Sequence, residues 1–205
     1  RRYGIHFFLM NRIIFDQPPS DLDRQHQLKK VWVYGFPKRL HAELEMRFGV
    51  PAREAFGMTE IGAGLFMPIE ADFMTGSGSA GLAGPFRECR VADLDGVDVP
   101  VDVAGELLFR GPGILKGYYR RADANLDGFH GEWFRTGDLV TRDANGFIYV
   151  VGRIKDMVRR AGESVAAREV EDVLNAMPGI AEAAVVPVPD PVRGEEVKAY
   201  LRLAE

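Results

Sequence analysis

Trp133-Phe134-Arg135-Thr136-Gly137-Asp138, followed further along by Gly152-Arg153-Ile154-Lys155-Asp156, is the stretch on which the reading of this chain turns. The first segment sets a carboxylate beside a glycine that leaves room for a bulky ligand. The second offers cations. Two short polar motifs at this separation can bracket a nucleotide. Thr-Gly-Asp by itself is common in surface turns, where such side chains cap backbone amides. Upstream, Ala55-Phe56-Gly57-Met58-Thr59-Glu60 adds an aromatic face, a hydroxyl and a second carboxylate.

Working outward, residues 1–70 alternate apolar runs with amphipathic stretches, as an α/β layer with strands buried on both faces would. Leu40, Leu44 and Phe48 recur at helical spacing between Pro37 and Gly49, which predicts a helix over 37–48. A short strand over 50–56 then places Phe56 to Glu60 at a strand's carboxyl end, where open α/β sheets bind ligands. From residue 75 to 151 the texture changes to short apolar runs punctuated by turn dipeptides such as Asp95-Gly96 and Asn145-Gly146, the mark of a β-rich, barrel-like unit. After Asp156, Val170, Val173, Leu174 and Met177 share one helical face. That helix stops at Pro178-Gly179, and residues 183–188 and the alternating Val197, Ala199, Leu201 and Leu203 read as strands of a small α+β unit.

Composition excludes several classes. The 205 residues are 46% hydrophobic and 27% charged, which is ordinary for a soluble globular protein. A formal net charge of −4 gives no basic excess for nucleic acid or an anionic membrane. The single cysteine, Cys89, cannot form an internal disulfide and reads as a small buried residue, so a cytoplasmic setting is expected. No apolar run approaches a membrane span, and the run after Arg1-Arg2 is too short for a secretory signal. The chain is expected to begin in mid-fold, at the end of a helix entering a strand. His6, His26, His41 and His130 have no metal-ligand spacing, and no Gly-x-Ser-x-Gly nucleophile turn occurs. The Thr75-Gly76-Ser77-Gly78-Ser79-Ala80-Gly81 run resembles a phosphate-cradling loop but has no lysine, and reads as a connection.

Taken together, Phe56-Gly57-Met58-Thr59-Glu60, Thr136-Gly137-Asp138 and Gly152-Arg153-Ile154-Lys155-Asp156 resemble the adenylate-forming superfamily of acyl-CoA synthetases, adenylation domains and luciferases. The resemblance implies an α/β and β-rich fold: the tail of a large amino-terminal domain, an α/β layer plus a distorted barrel, followed by the start of a small α+β domain. It divides the chain into 1–74, 75–152, a hinge at 153–156, and 157–205. It also implies roles. Phe56 would stack on adenine and Gly57 let the backbone approach the base, while the Thr59 hydroxyl would donate to a phosphate and Glu60 hold Mg2+. Asp138 would accept from the ribose hydroxyls, Arg153 reach ribose and phosphates, and Lys155 sit at the pivot. Gly162, in Ala161-Gly162-Glu163-Ser164-Val165, would line a CoA tunnel; relatives often carry Gly-Gly where Ala161-Gly162 stands. Thr59, Glu60 and Arg153 are the catalytic candidates. Gly105-Glu106-Leu107 and Gly117-Tyr118-Tyr119 match blocks expected to be structural.

The implied activity is AMP-forming ligation of a small carboxylic acid to CoA through an acyl-adenylate, with ATP/AMP, CoA and Mg2+ as cofactors and substrates, and with room for a homodimer. The 156–171 stretch is most similar to crotonobetaine/carnitine and medium-chain acid ligases. The superfamily's upstream phosphate loop and terminal lysine are not in this sequence, so little ligase activity is expected from it alone. Two further readings stay open: an adenylation domain loading a carrier protein, and a non-catalytic nucleotide-binding module.

Overall fold

The computed structural model describes residues 5–8 and 12–204. The helix end expected at residues 1–4 lies outside them. Strand β1 (Ile5–Phe8) pairs in parallel with β2 (Leu28–Val33), and β2 with β3 (Ala52–Met58). Between them come the one-turn helix α1 (Arg12–Phe15) and α2 (His41–Phe48). Leu44 and Phe48 lie one helical turn apart and bury the same face of α2 against Val31, Val33 and Phe36. The helix ends where Gly49, at φ 62°, turns left-handed and its N–H bonds the Glu45 carbonyl at 2.8 Å. It starts later than the spacing suggests. Pro37 sits at ψ 120°, outside helical space, and Lys38–Leu40 wind as a tighter 3-10 turn before His41.

The chain then becomes antiparallel. β3 doubles back into β4 (Gly62–Phe66), which pairs with β5 (Ser79–Ala83). Next come β6 (Glu88–Ala92), β7 (Gly105–Arg110), the short helix α3 (Ala122–Gly128), β8 (Phe129–His130), β9 (Trp133–Arg142) and β10 (Ile148–Arg153). One hydrogen-bonded path runs β1-β2-β3-β4-β5-β10-β9-β7-β6, with β8 beside β9. Phe109, Phe134, Leu107, Ile61 and Ile148 fill the core of this half. Burying each such side chain contributes roughly 1.5–3 kcal/mol.

The supposed connection at 75–81 is half strand. Ser79 Oγ donates to the Ile148 carbonyl at 2.9 Å and accepts from Gly81 N–H at 3.0 Å, stitching β5 to β10. Gly81 tolerates no side chain, since a Cβ there would lie 2.1 Å from the Phe66 carbonyl.

A 3-10 turn, Ile154–Asp156, leads into a second sheet of β11 (Met157–Arg160), β12 (Glu163–Ala166), β13 (Ile180–Asp190) and β14 (Gly194–Leu203), ordered β12-β11-β14-β13. Helix α4 (Ala167–Asn175) packs on β13. Val170 and Leu174 are half-buried there, while Val173 and Met177 remain exposed, so the hairpin covers one flank of the expected apolar face. The mixed α/β, sheet-rich fold agrees with the sequence. No helix among the described residues is long and apolar enough to cross a membrane.

Candidate functional site

Thr136-Gly137-Asp138 lies inside a long strand rather than in a surface turn. On β7, Glu106 faces Leu139 and Leu108 faces Arg135, so Thr136, Gly137 and Asp138 together stand opposite Leu107. This is a β-bulge, a device that re-aims a side chain and leaves backbone amides without ladder partners. Gly137 takes φ 72°, a conformation natural to glycine. Each freed amide finds a side chain. Asp138 N–H donates to Thr136 Oγ1 at 3.1 Å, and that hydroxyl donates to the Leu107 carbonyl at 2.8 Å. Gly137 N–H donates to Glu106 Oε1 at 3.1 Å, while Glu106 Oε2 accepts from Arg135 Nε at 2.8 Å.

The bulge aims Asp138 at the joint. Arg153, its register partner on β10, places Nε 3.1 Å from Asp138 Oδ1. The aspartate is 4% exposed, and its Oδ2 is buried without a hydrogen-bond partner among the described residues. Burial pushes the Asp138 pKa upward, and the Arg153 cation opposes that shift. A buried carboxylate oxygen with no partner carries a desolvation cost that a donor would relieve.

Two clefts flank the joint. One, of about 370 Å³, is lined by Asp138, Arg153, Asp156 and, from α4, Arg168, Glu171 and Asn175. The other, of about 530 Å³, is lined by Thr136, Gly137, Arg153, Lys155, Arg159 and Glu195. Arg153 borders both. Gly162 lines neither; with Ala161 it makes the turn between β11 and β12, and both residues have positive φ, 49° at Ala161 and 87° at Gly162.

The upstream motif forms the β3–β4 hairpin. Phe56 is half-buried, its ring parallel to that of Phe109 with centroids 6.5 Å apart. A Cβ on Gly57 would lie 2.4 Å from the Gly62 carbonyl oxygen, so the neighbouring strand already demands glycine there. Thr59 is exposed at the tip, and Glu60 is half-buried. The Tyr118 hydroxyl donates to Glu60 Oε1 at 3.1 Å. Tyr118 is locked in turn by Asn125, whose side chain accepts from its N–H at 2.6 Å and donates to its carbonyl at 3.0 Å. Phe56, Thr59 and Glu60 do not line the cleft that contains Asp138, but Phe56 shares a core cluster with Phe134 and Val140 of β9.

For a magnesium ion, Glu60 offers one hard carboxylate with Oε2 uncommitted in the hydrogen bonds above, and among the described residues no group of three or more acidic, histidine or cysteine side chains gathers. Magnesium bound through one carboxylate plus substrate phosphates fits that arrangement. Sequence reasoning passed over Glu106 and Asn125 as partners of the motifs. It also missed Glu54, a half-buried carboxyl on β3 whose pKa burial pushes up to about 8, against the pull of the Arg168 cation.

A family model described as AMP-binding enzyme matches residues 9–119, and one described as AMP-binding enzyme C-terminal domain matches residues 169–205. The chain is 39% identical over 170 residues to a sulfoacetate–CoA ligase of Cupriavidus necator, covering 82% of this chain and 33% of the relative. It is 37% identical over 163 residues to a feruloyl-CoA synthase of Amycolatopsis, covering 78% and 33%. It thus spans about a third of the length of these relatives. Among solved structures, o-succinylbenzoate CoA synthetase of Bacillus subtilis bound to its acyl-adenylate aligns over 98% of this chain and 41% of its own, with TM-score 0.84 and 28% identity. ATP-bound MatB of Rhodopseudomonas palustris aligns over 85% and 35%, with TM-score 0.78 and 31% identity. The first match runs through the hairpin of Thr59 and Glu60 and the second through most of α4 and the β13–β14 hairpin, and the chain belongs to the AMP-binding enzyme family of adenylate-forming proteins.

Proposed function

We propose that this chain is the nucleotide-holding part of an AMP-forming acid–CoA ligase. In that reaction a carboxylate oxygen attacks the α-phosphorus of ATP and pyrophosphate leaves; the CoA thiolate then attacks the acyl carbon and AMP leaves. The observation that carries the reading is the buried Asp138 Oδ2, without a hydrogen-bond partner among the described residues, beside Arg153: an acceptor and a cation in the lining of one cleft.

In this reading Asp138 accepts from the ribose hydroxyls, Arg153 spans ribose and phosphates, Phe56 stacks on adenine, and Thr59 donates to a phosphate oxygen. Glu60 would hold Mg2+, which when bound neutralises charge on the transferring phosphates. Lys155 lies at the pivot between the two sheets and Gly162 belongs to the CoA channel. Positioning and charge neutralisation are most of what a protein contributes to such a displacement. The cytoplasm is the expected setting. The relatives' names differ in their acid, sulfoacetate in one and ferulate in another, and we assign none here.

Acid-dependent exchange of pyrophosphate into ATP, by the protein that carries this chain, tests the reading. Exchange that falls at least a hundredfold in Asp138→Ala supports it. Undiminished exchange in that variant refutes it.

A further inference from the structure

Glu106 is 4% exposed, and both of its oxygens are committed. Oε1 accepts from Gly137 N–H at 3.1 Å; Oε2 accepts from Arg135, at 2.8 Å from Nε and 2.7 Å from Nη2. A carboxylate is seldom buried without such pairing. Its partners, Arg135 and Gly137, are unusual in belonging to one short segment, the three residues that precede Asp138. The bulge costs the ladder its hydrogen bonds, and Glu106 returns one to the glycine in the left-handed conformation. Without that acceptor, the Gly137 amide would be left unpaired or would turn toward water, and the direction of the Asp138 side chain would turn with it.

We propose that Glu106 is a positioning residue for the nucleotide site: it acts through the Gly137 amide to hold Asp138 aimed at the ribose. The assignment rests on the functional reading above. It commits to the hydrogen bond rather than to the negative charge as the active feature. Glutamine at 106 keeps an oxygen at the same reach. Aspartate keeps the charge but is one methylene shorter and falls short of the amide.

The test is calorimetric titration of AMP into the protein and its Glu106→Gln, Glu106→Asp, Glu106→Ala and Asp138→Ala variants, with amide exchange followed at Gly137. Glu106→Ala and Glu106→Asp should weaken AMP about tenfold, the scale of one charged hydrogen bond, with faster Gly137 exchange. Glu106→Gln should stay within about threefold of the parent. If Asp138→Ala loses AMP while Glu106→Asp and Glu106→Ala bind it normally, or Glu106→Gln binds as poorly as Glu106→Ala, the positioning role is wrong and the nucleotide reading survives. If the parent does not bind AMP, or Asp138→Ala binds it unchanged, the nucleotide reading fails and the role of Glu106 fails with it. Should Glu106→Ala not fold, the contrast between the glutamine and aspartate variants decides.

Discussion

Arg153 Nε and Asp138 Oδ1 lie 3.1 Å apart across neighbouring strands, and the pairing leaves Asp138 Oδ2 buried without a hydrogen-bond partner among the described residues. The arginine thus secures one oxygen, and in the proposed reading the other is left for a ligand. Hydroxyls bind most strongly to the ionised carboxylate, whose oxygens accept only, and burial raises the Asp138 pKa above its usual 3.8. Affinity for adenosine, which has no phosphate to titrate, should therefore be full at neutral pH and fall as pH drops through that raised value. In Arg153→Ala, which removes the opposing cation, the fall should begin at higher pH. Adenosine affinity independent of pH down to the ordinary aspartate range would contradict this.

Glu54 makes stability depend on pH. Its carboxyl, near buried His41 at 3.9 Å, has its pKa raised from 4.5 to about 8 by burial. The folded state therefore keeps a proton that the unfolded chain gives up between those values. Stability should fall as pH rises across that window, by at most about 1.4 kcal/mol per pH unit for one proton. Burial lowers the His41 pKa, which adds stability as pH rises toward 6.5, so the Glu54 loss is read above that range: urea denaturation at pH 7 and pH 8 should show it, and Glu54→Gln should remove it. A parent midpoint that does not drop over that interval would count against this assignment.

Ala161 stands in the left-handed region at φ 49°, where a Cβ costs roughly 1 kcal/mol or more. The sequence flags the position because relatives often carry glycine there. Ala161→Gly should raise the thermal midpoint, with a gain of about 0.5–1 kcal/mol after the added flexibility of the unfolded chain. A lower midpoint would mean that the turn pays no strain.

Tyr118 connects α3 to the hairpin tip. Tyr118→Phe removes the donor to Glu60 Oε1 and should cost about 1 kcal/mol of stability. Asn125→Ala removes two hydrogen bonds to the Tyr118 backbone and should cost more, about 2 kcal/mol. Paired urea titrations check the order, and a reversed order would deny Asn125 its anchoring role.

Gly57→Ala separates a packing role from a binding role. A Cβ at 2.4 Å from the Gly62 carbonyl oxygen forces the hairpin strands apart, so stability should fall by several kcal/mol even without nucleotide. Unchanged stability with weakened AMP binding would return the glycine to the adenine contact alone.

Much of this was legible in the chain. Leu44 and Phe48 with Gly49 announce a helix and its end because spacing and a left-handed cap are local properties. Thr136-Gly137-Asp138 marks a candidate ligand carboxylate, but not that it sits in a ten-residue strand, because glycine and aspartate look like turn residues until β7 supplies Glu106 to satisfy the bulge. Glu106 itself was visible in Gly105-Glu106-Leu107, yet its partners lie some 30 residues away and no local pattern encodes them. Glu54 reads as an ordinary strand residue, since burial by a folded neighbourhood has no signature in sequence. Val173 and Met177 show the converse: helical spacing marks an apolar face, while the exposure of half of it depends on what packs there.

The most direct measurement compares AMP with 2′,3′-dideoxy-AMP on the parent protein and on Asp138→Ala. If Asp138 takes the ribose hydroxyls, the parent should prefer AMP by at least about tenfold and the variant should bind both alike. A variant that keeps the parent's preference would show that the ribose is held elsewhere and would overturn the assignment of the site.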